Sequence, residues 1–215
     1  MDNSSQNEVA IPCDNVSIKG ILVVPENPIG IVLFAHGSGS GRMSPRNQYV
    51  ASELNKNNCA TLLGDLLTEE EDEIRENRFD IPLLTERLYL ISEWIKTQDK
   101  IKRLPLGIFG ASTGAAAALD VASLLGSNIY AVVSRGGRPD LLEQDAANIT
   151  APVLLIVGGN DEDVLQLNKE TLPLLINAEA TELKIVPGAT HLFEEAGALE
   201  DVAKEAVLWF KKYFV

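Results

Sequence analysis

Leu106-Gly-Ile-Phe109, Gly110-Ala111-Ser112-Thr113-Gly114 and Ala115-Ala-Ala-Ala-Leu119 follow one another, and this stretch decides the fold. The first segment is an apolar run of strand length, and the last is an Ala-rich run that reads as a helix. Between them stands the pattern G-x-S-x-G, a strand–turn–helix that serine hydrolases use to present a nucleophile. A serine there must occupy a backbone conformation that costs about 1–3 kcal/mol and persists only where packing enforces it. Glycine on either side removes the Cβ atoms that would collide as strand and helix close on each other. The expected result is a Ser112 hydroxyl lifted above the edge of a sheet. The alternative is that Ser112 merely caps a helix, with Gly110 and Gly114 as ordinary turn residues.

Outward from this stretch the chain alternates strands and helices. Glu8 to Cys13 and Val16 to Val24 alternate apolar and polar residues around Asp14-Asn15, which predicts an antiparallel hairpin. Pro25-Glu-Asn-Pro28 breaks the chain, and Ile31 to Ala35 is a continuous apolar run, as in a strand buried on both faces. A helix is expected from Pro45, with Ser44 as its N-cap. Ala60 to Leu63 is the next strand. Glu69 to Glu73 is a solvated acidic loop or helix face without metal-site spacing. Ile81 to Thr97 is a long amphipathic helix capped by Asp80. Strands follow at Leu106–Phe109, Tyr130–Val133, Pro152–Val157 and Leu183–Val186, with helices at Val164–Ile176 and Leu199–Phe214. Such alternation after a hairpin predicts an α/β fold: a mostly parallel central sheet with an N-terminal antiparallel hairpin and helices on both faces. No linker, repeat or composition shift divides residues 1–215, so a single domain without a separate lid domain is expected.

The 215 residues are 46% hydrophobic and 23% charged, values of a globular protein that buries a core. A net charge of −13 argues against a nucleic-acid partner, because no broad basic stripe exists. Residues 1–8 lack the basic and apolar regions of a signal peptide, and no apolar stretch is long enough to span a bilayer. Cys13 and Cys59 lie far apart in or beside strand-like segments and read as reduced core thiols. A cytoplasmic location without membrane, metal or cofactor is the expectation. Oligomeric state is not legible.

A serine hydroxyl needs a base to take its proton. There are two histidines, His36 and His191, and only His191 lies after Ser112 in the order serine, acid, histidine. It sits in Pro187-Gly-Ala-Thr-His191, between the last strand and the last helix. The acid should leave a strand end between them, and Asp161 follows the run ending Val157-Gly-Gly-Asn160. Asp163 is its neighbouring alternative, better suited to cap the next helix, as Asp140 is better suited to a turn. An oxyanion requires two donors: the amide of Thr113, and one from the loop His36-Gly-Ser-Gly-Ser-Gly41, assigned to Ser38 with Gly37 as its neighbour. That loop lacks the ending of a P-loop and the spacing of a dinucleotide fingerprint. His36 is expected to hold it in place by hydrogen bonds.

Five ordered segments resemble one family over nearly the whole chain. They are His36–Asn47, Gly110–Ala118, Ser134-Arg-Gly-Gly-Arg-Pro-Asp140, Val157–Asp161 and Pro187–Glu194. Together they are similar to the dienelactone-hydrolase-like branch of the α/β-hydrolases, some of whose members are fused to phosphoribosyltransferase domains. The resemblance implies an α/β-hydrolase fold and the triad Ser112, Asp161, His191. Dienelactone hydrolase proper carries a cysteine where this chain has Ser112, which looks more like a carboxylesterase.

Arg42, Arg46, Arg135 and Arg138 fall in or beside the loops expected around the site. Arginine grips a carboxylate bidentately, and positive charge at a cleft steers an anionic substrate. These arginines could equally pair with nearby acids and hold loops together. The expected activity is hydrolysis of a small carboxylic ester or lactone, with an anionic group as one option. Thioester hydrolysis, and a hydrolase fold kept as a binding module, are the alternatives.

Overall fold

The computed structural model describes residues 5–142 and 144–215. The expectation drawn from residues 1–8 falls partly outside these, on residues 1–4. Strands β1 (Ser5–Cys13), β2 (Val16–Val24), β3 (Gly30–Ala35), β4 (Cys59–Gly64), β5 (Leu106–Ala111), β6 (Ile129–Arg135), β7 (Val153–Gly158) and β8 (Thr181–Val186) form one sheet. Their spatial order is β1-β2-β4-β3-β5-β6-β7-β8. β1 pairs with β2, and β2 with β4, antiparallel; every later pairing is parallel. β5, which delivers Ser112, lies between β3 and β6, so loops from both neighbours flank it at the carboxyl edge.

Each central strand feeds two cores, because successive side chains leave opposite faces. Ile31, Leu33 and Ala35 of β3 join one cluster, with the helices α3 (Ile81–Ile95) and α4 (Thr113–Leu125). Val32 and Phe34 join the other, with α1 (Pro45–Lys56) and α6 (Ala198–Tyr213). Two shorter helices, α2 (Glu69–Glu73) and α5 (Glu162–Thr171), complete the set among the described residues.

Helix starts follow local chemistry. The Ser44 side chain accepts from Asn47 N–H, with Pro45 in the first turn, and Asp80 accepts from Leu83 N–H at 3.0 Å. The acidic run becomes α2, opened by a capping box in which Thr68 and Glu71 satisfy each other's amides. Several element ends differ from expectation, and three of the differences have an instructive cause. β6 runs on through Ser134 and Arg135, both buried, where a polarity-based reading stops. α5 ends at Thr171 and tightens into a 3₁₀ turn at Leu172–Leu174, because Pro173 cannot continue an α-helix. Asp163 does not cap α5: it is in the first turn, and Asp161 holds the N-cap position with its side chain directed elsewhere. Among the described residues no helix is long and apolar enough to cross a membrane.

Candidate active site

Ser112 joins β5 to α4 with φ 51° and ψ −120°, a conformation rarely adopted by a residue with a side chain. The strain is fixed from both sides. Its N–H donates to Arg135 O at 3.2 Å, and its carbonyl accepts from Ala115 N–H at 3.1 Å and Arg138 N–H at 3.2 Å. The flanking glycines are obligatory on steric grounds. A Cβ at Gly110 would lie 2.5 Å from Ala115 Cα, and one at Gly114 would lie 2.3 Å from His36 O. Ser112 makes no side-chain capping bond to α4, so the helix-cap alternative does not describe it.

The loop after β3 presses against this turn: a Cβ at Gly37 would lie 3.0 Å from Ser112 Cβ. His36 anchors the loop from beneath. Its Nε2 accepts from Leu66 N–H at 2.9 Å, which places the ring proton on Nδ1, 3.0 Å from Gly37 O. The ring is 7% exposed, and burial pushes its pKa below the ordinary histidine value, against the opposing pull of the Gly37 carbonyl, Asp65 and Asp72. A lowered folded pKa means that the unfolded chain takes up the proton first. The stabilisation is therefore complete above the unfolded value of about 6.5 and is lost as pH falls below it. Thermal unfolding between pH 7 and pH 5 should show a smaller pH slope in His36→Gln than in the parent. At pH 7 His36→Leu, which offers no acceptor in place of the ring nitrogen, should lose about 1–3 kcal/mol for the orphaned Leu66 amide. Equal slopes in the two proteins would refute this role.

His191 and Asp161, 30 residues apart, meet through His191 Nδ1 and Asp161 Oδ2 at 2.7 Å. The two loops that carry them are cross-tied. Asn160 donates its side-chain amide to Gly188 O and its backbone N–H to Ala189 O, both at 2.9 Å. Thr190 Oγ1 donates to Glu195 Oε1 at 2.6 Å. These tie residues were missed in the sequence, where the only hint was that Asn160 adjoins the acid. The His191 ring also abuts the turn after β6: a Cβ at Gly136 would lie 3.4 Å from its Nδ1 and Cε1. The same turn, through Arg135 and Arg138, holds the Ser112 backbone. The Ser112 backbone and the His191 ring thus both adjoin residues 135–138, and Asp161 reaches the same ring through Nδ1.

The amide of Ser38 donates to Thr113 Oγ1 at 3.0 Å, so the two residues expected to form the oxyanion site are in direct contact. The four arginines separate into distinct groups. Arg42 is ion-paired with Asp65, and its backbone N–H reaches the same carboxylate at 2.7 Å. Arg138 forks onto Asp140 with bonds of 2.8 and 2.7 Å. Arg46 reaches Glu194 at 3.3 Å. Arg135 is 8% exposed, and its Nε and Nη1 are buried without a hydrogen-bond partner among the described residues. Burial, reinforced by the nearby Arg46, pushes its pKa down to about 10. Arg78, which sequence reasoning overlooked, is held by Asp72 beside Gly39 of the loop after β3.

Cys13 and Cys59 are buried free thiols. Burial raises both pKa values, that of Cys59 to about 11, so neither offers a thiolate nucleophile.

The model of the dienelactone hydrolase family matches residues 43–214. Two curated proteins of Mycobacterium tuberculosis, each named as a phosphoribosyl transferase, are 53% identical to this chain over 203 residues. That match takes in 94% of this chain and 45% of theirs, so the chain spans about half the length of these relatives. A crystal structure of a dienelactone hydrolase from Anabaena variabilis is 47% identical and covers 98% of both chains with a TM-score of 0.93. A hyperthermophilic esterase from Pyrobaculum calidifontis is 16% identical and shares the fold at a TM-score of 0.75, over 94% of this chain and 82% of its own.

Proposed function

The chain belongs to the dienelactone hydrolase family and is an α/β-hydrolase enzyme; from that premise we propose that it cleaves a small carboxylic ester or lactone through an acyl-enzyme on Ser112. The reading rests chiefly on the His191–Asp161 bond at the sheet edge where the strained Ser112 stands. Asp161 holds the Nδ1 proton, which leaves Nε2 as the lone-pair base for the serine hydroxyl. The alkoxide equivalent attacks the acyl carbon, and negative charge develops on the carbonyl oxygen. The amides of Thr113 and Ser38 are the donors for that charge. Imidazolium then returns its proton to the leaving alcohol, and a water repeats the cycle on the acyl-enzyme. Hydrolysis of short p-nitrophenyl esters by the parent and by Ser112→Ala tests the reading.

For an anionic substrate group, the support narrows to Arg135. Arg42, Arg46 and Arg138 already have carboxylate partners. The side chain of Arg135 leaves β6 on the same face as Val133 and lies 6.0 Å from the Phe193 ring, two residues beyond His191. A buried guanidinium facing another cation carries an electrostatic cost, which a carboxylate on the substrate would offset. Arg135→Met should lower the ratio of kcat/KM for mono-p-nitrophenyl succinate to that for its methyl ester by about 10- to 100-fold. It should also raise the unfolding midpoint, by about 2–4 °C for each kcal/mol of relieved desolvation. Parallel loss on both esters together with a lower midpoint would mark Arg135 as structural and remove the anionic preference.

A further inference from the structure

Ser38 supplies the amide that an oxyanion requires in the reading above, yet this N–H is directed at the side chain of Thr113, 3.0 Å away. Thr113 is 3% exposed, whereas Ser38 and Gly39 form an exposed loop tip. Elsewhere the loop is held by His36 at its base and by a turn bond from Ser40 N–H to Gly37 O at 3.2 Å. The Thr113 hydroxyl is thus the group that fixes the amide of the tip itself.

We propose that the Thr113 side chain is a positioning residue for the oxyanion site, holding the Ser38 amide in aim and yielding it only to a charged intermediate. This inference rests on the acyl-enzyme reading above. A neutral hydroxyl oxygen and a neutral ester carbonyl are acceptors of similar strength, so bound substrate gains little by displacing Thr113. An oxyanion accepts roughly twice as strongly, so the exchange becomes favourable as negative charge develops. Such an interaction favours the transition state over the ground state and raises kcat rather than lowering KM. The amide also stays desolvated and held at the site before substrate arrives, so the chemical step requires only that it exchange one nearby acceptor for another. Thr113 therefore acts twice: its own N–H serves as one donor, and its hydroxyl presets the other.

Thr113→Val keeps the shape of the side chain and removes the acceptor. On p-nitrophenyl acetate it should lower kcat by about 10- to 100-fold, less than the full loss of one oxyanion donor, with KM changing less than about three-fold. Thr113→Ser restores the acceptor and should recover most of that loss. The inhibition constant of a phenylboronic acid, whose tetrahedral serine adduct carries an oxygen in the oxyanion site, should weaken in proportion to kcat/KM across the series. A residue that only supports the loop would lower the unfolding midpoint and raise KM, and would leave inhibitor binding out of proportion to rate. Should Thr113→Val fail to fold, Thr113→Ala carries the same expectation without overpacking. Unchanged kcat in the folded Val or Ala variant overturns the inference, as does a Ser variant no better than Val. Fluorophosphonate labelling separates the two levels. Absence of an adduct on Ser112 in the parent protein removes both the acyl-enzyme reading and this one. Equal labelling rates in the parent and Thr113→Val remove this one alone.

Discussion

Ser112→Ala should reduce kcat on short p-nitrophenyl esters by about 10⁴–10⁶-fold, the largest effect expected of any single change in this chain. The physical reason is that alanine leaves no atom to form the acyl intermediate. The oxyanion donors and substrate contacts remain, so a residual rate about 10³–10⁴-fold above that of water alone is expected, with little change in KM. The fold should survive, because the Ser112 backbone is held by Arg135 O and Arg138 N–H and its side chain caps nothing. Mass spectrometry after fluorophosphonate treatment supplies the chemical counterpart: one adduct on Ser112 in the parent and none in the variant. Equal ester hydrolysis by both proteins would place the nucleophile elsewhere. No hydrolysis by either, with substrate still bound, would favour a binding module built on the hydrolase fold.

Asp161→Asn is expected to cost about 10⁴-fold in kcat while leaving the geometry nearly unchanged. A carboxylate oxygen 2.7 Å from Nδ1 accepts a hydrogen bond from the Nδ1–H and so keeps the proton there, leaving Nε2 free to act as base. A carboxamide in its place can donate to Nδ1 and so selects the opposite tautomer, with the proton on Nε2 where the serine requires a lone pair. It also withdraws the negative charge that stabilises imidazolium during acylation. Asp163→Asn is the internal control. Asp163 lies exposed in the first turn of α5, and its replacement should change kcat by less than about two-fold, as for a surface side chain that takes no part in the His191 contact. If the Asn160–Gly188 tie preserves the loop geometry, the circular dichroism and unfolding midpoint of Asp161→Asn should match those of the parent. Near-parental activity in Asp161→Asn, with the loss falling on Asp163→Asn instead, would transfer the role of the acid.

The difference between these two carboxylates marks the limit of sequence reading here. Spacing brings Asp161 and Asp163 within one turn of each other, and either satisfies the order serine, acid, histidine. The side-chain direction at the N-cap of α5 separates them, and that direction depends on where the loop after β8 returns. The arginines illustrate the same limit. Their positions in loops were visible, but their partners were not, because Asp65 lies 23 residues from Arg42 and Glu194 lies 148 residues from Arg46. Local patterns served well where the physics is local: Ser44 and Asp80 start helices through bonds spanning three residues. The equally local Thr68–Glu71 box went unread. Reading failed at Ser134 and Arg135, because their burial comes from neighbouring strands and not from their own polarity.

By itself the sequence determined the strand–helix alternation, the strained turn at Ser112 and the histidine able to follow it, since each depends on hydrophobic period, glycine sterics or chain order. Tertiary structure alone decided which aspartate faces His191, which arginine is left without a carboxylate, and that the Ser38 amide rests on the Thr113 hydroxyl. Those choices join groups brought together only when parallel strands set their carboxyl-edge loops side by side, and no local propensity encodes a meeting between segments 30 to 148 residues apart.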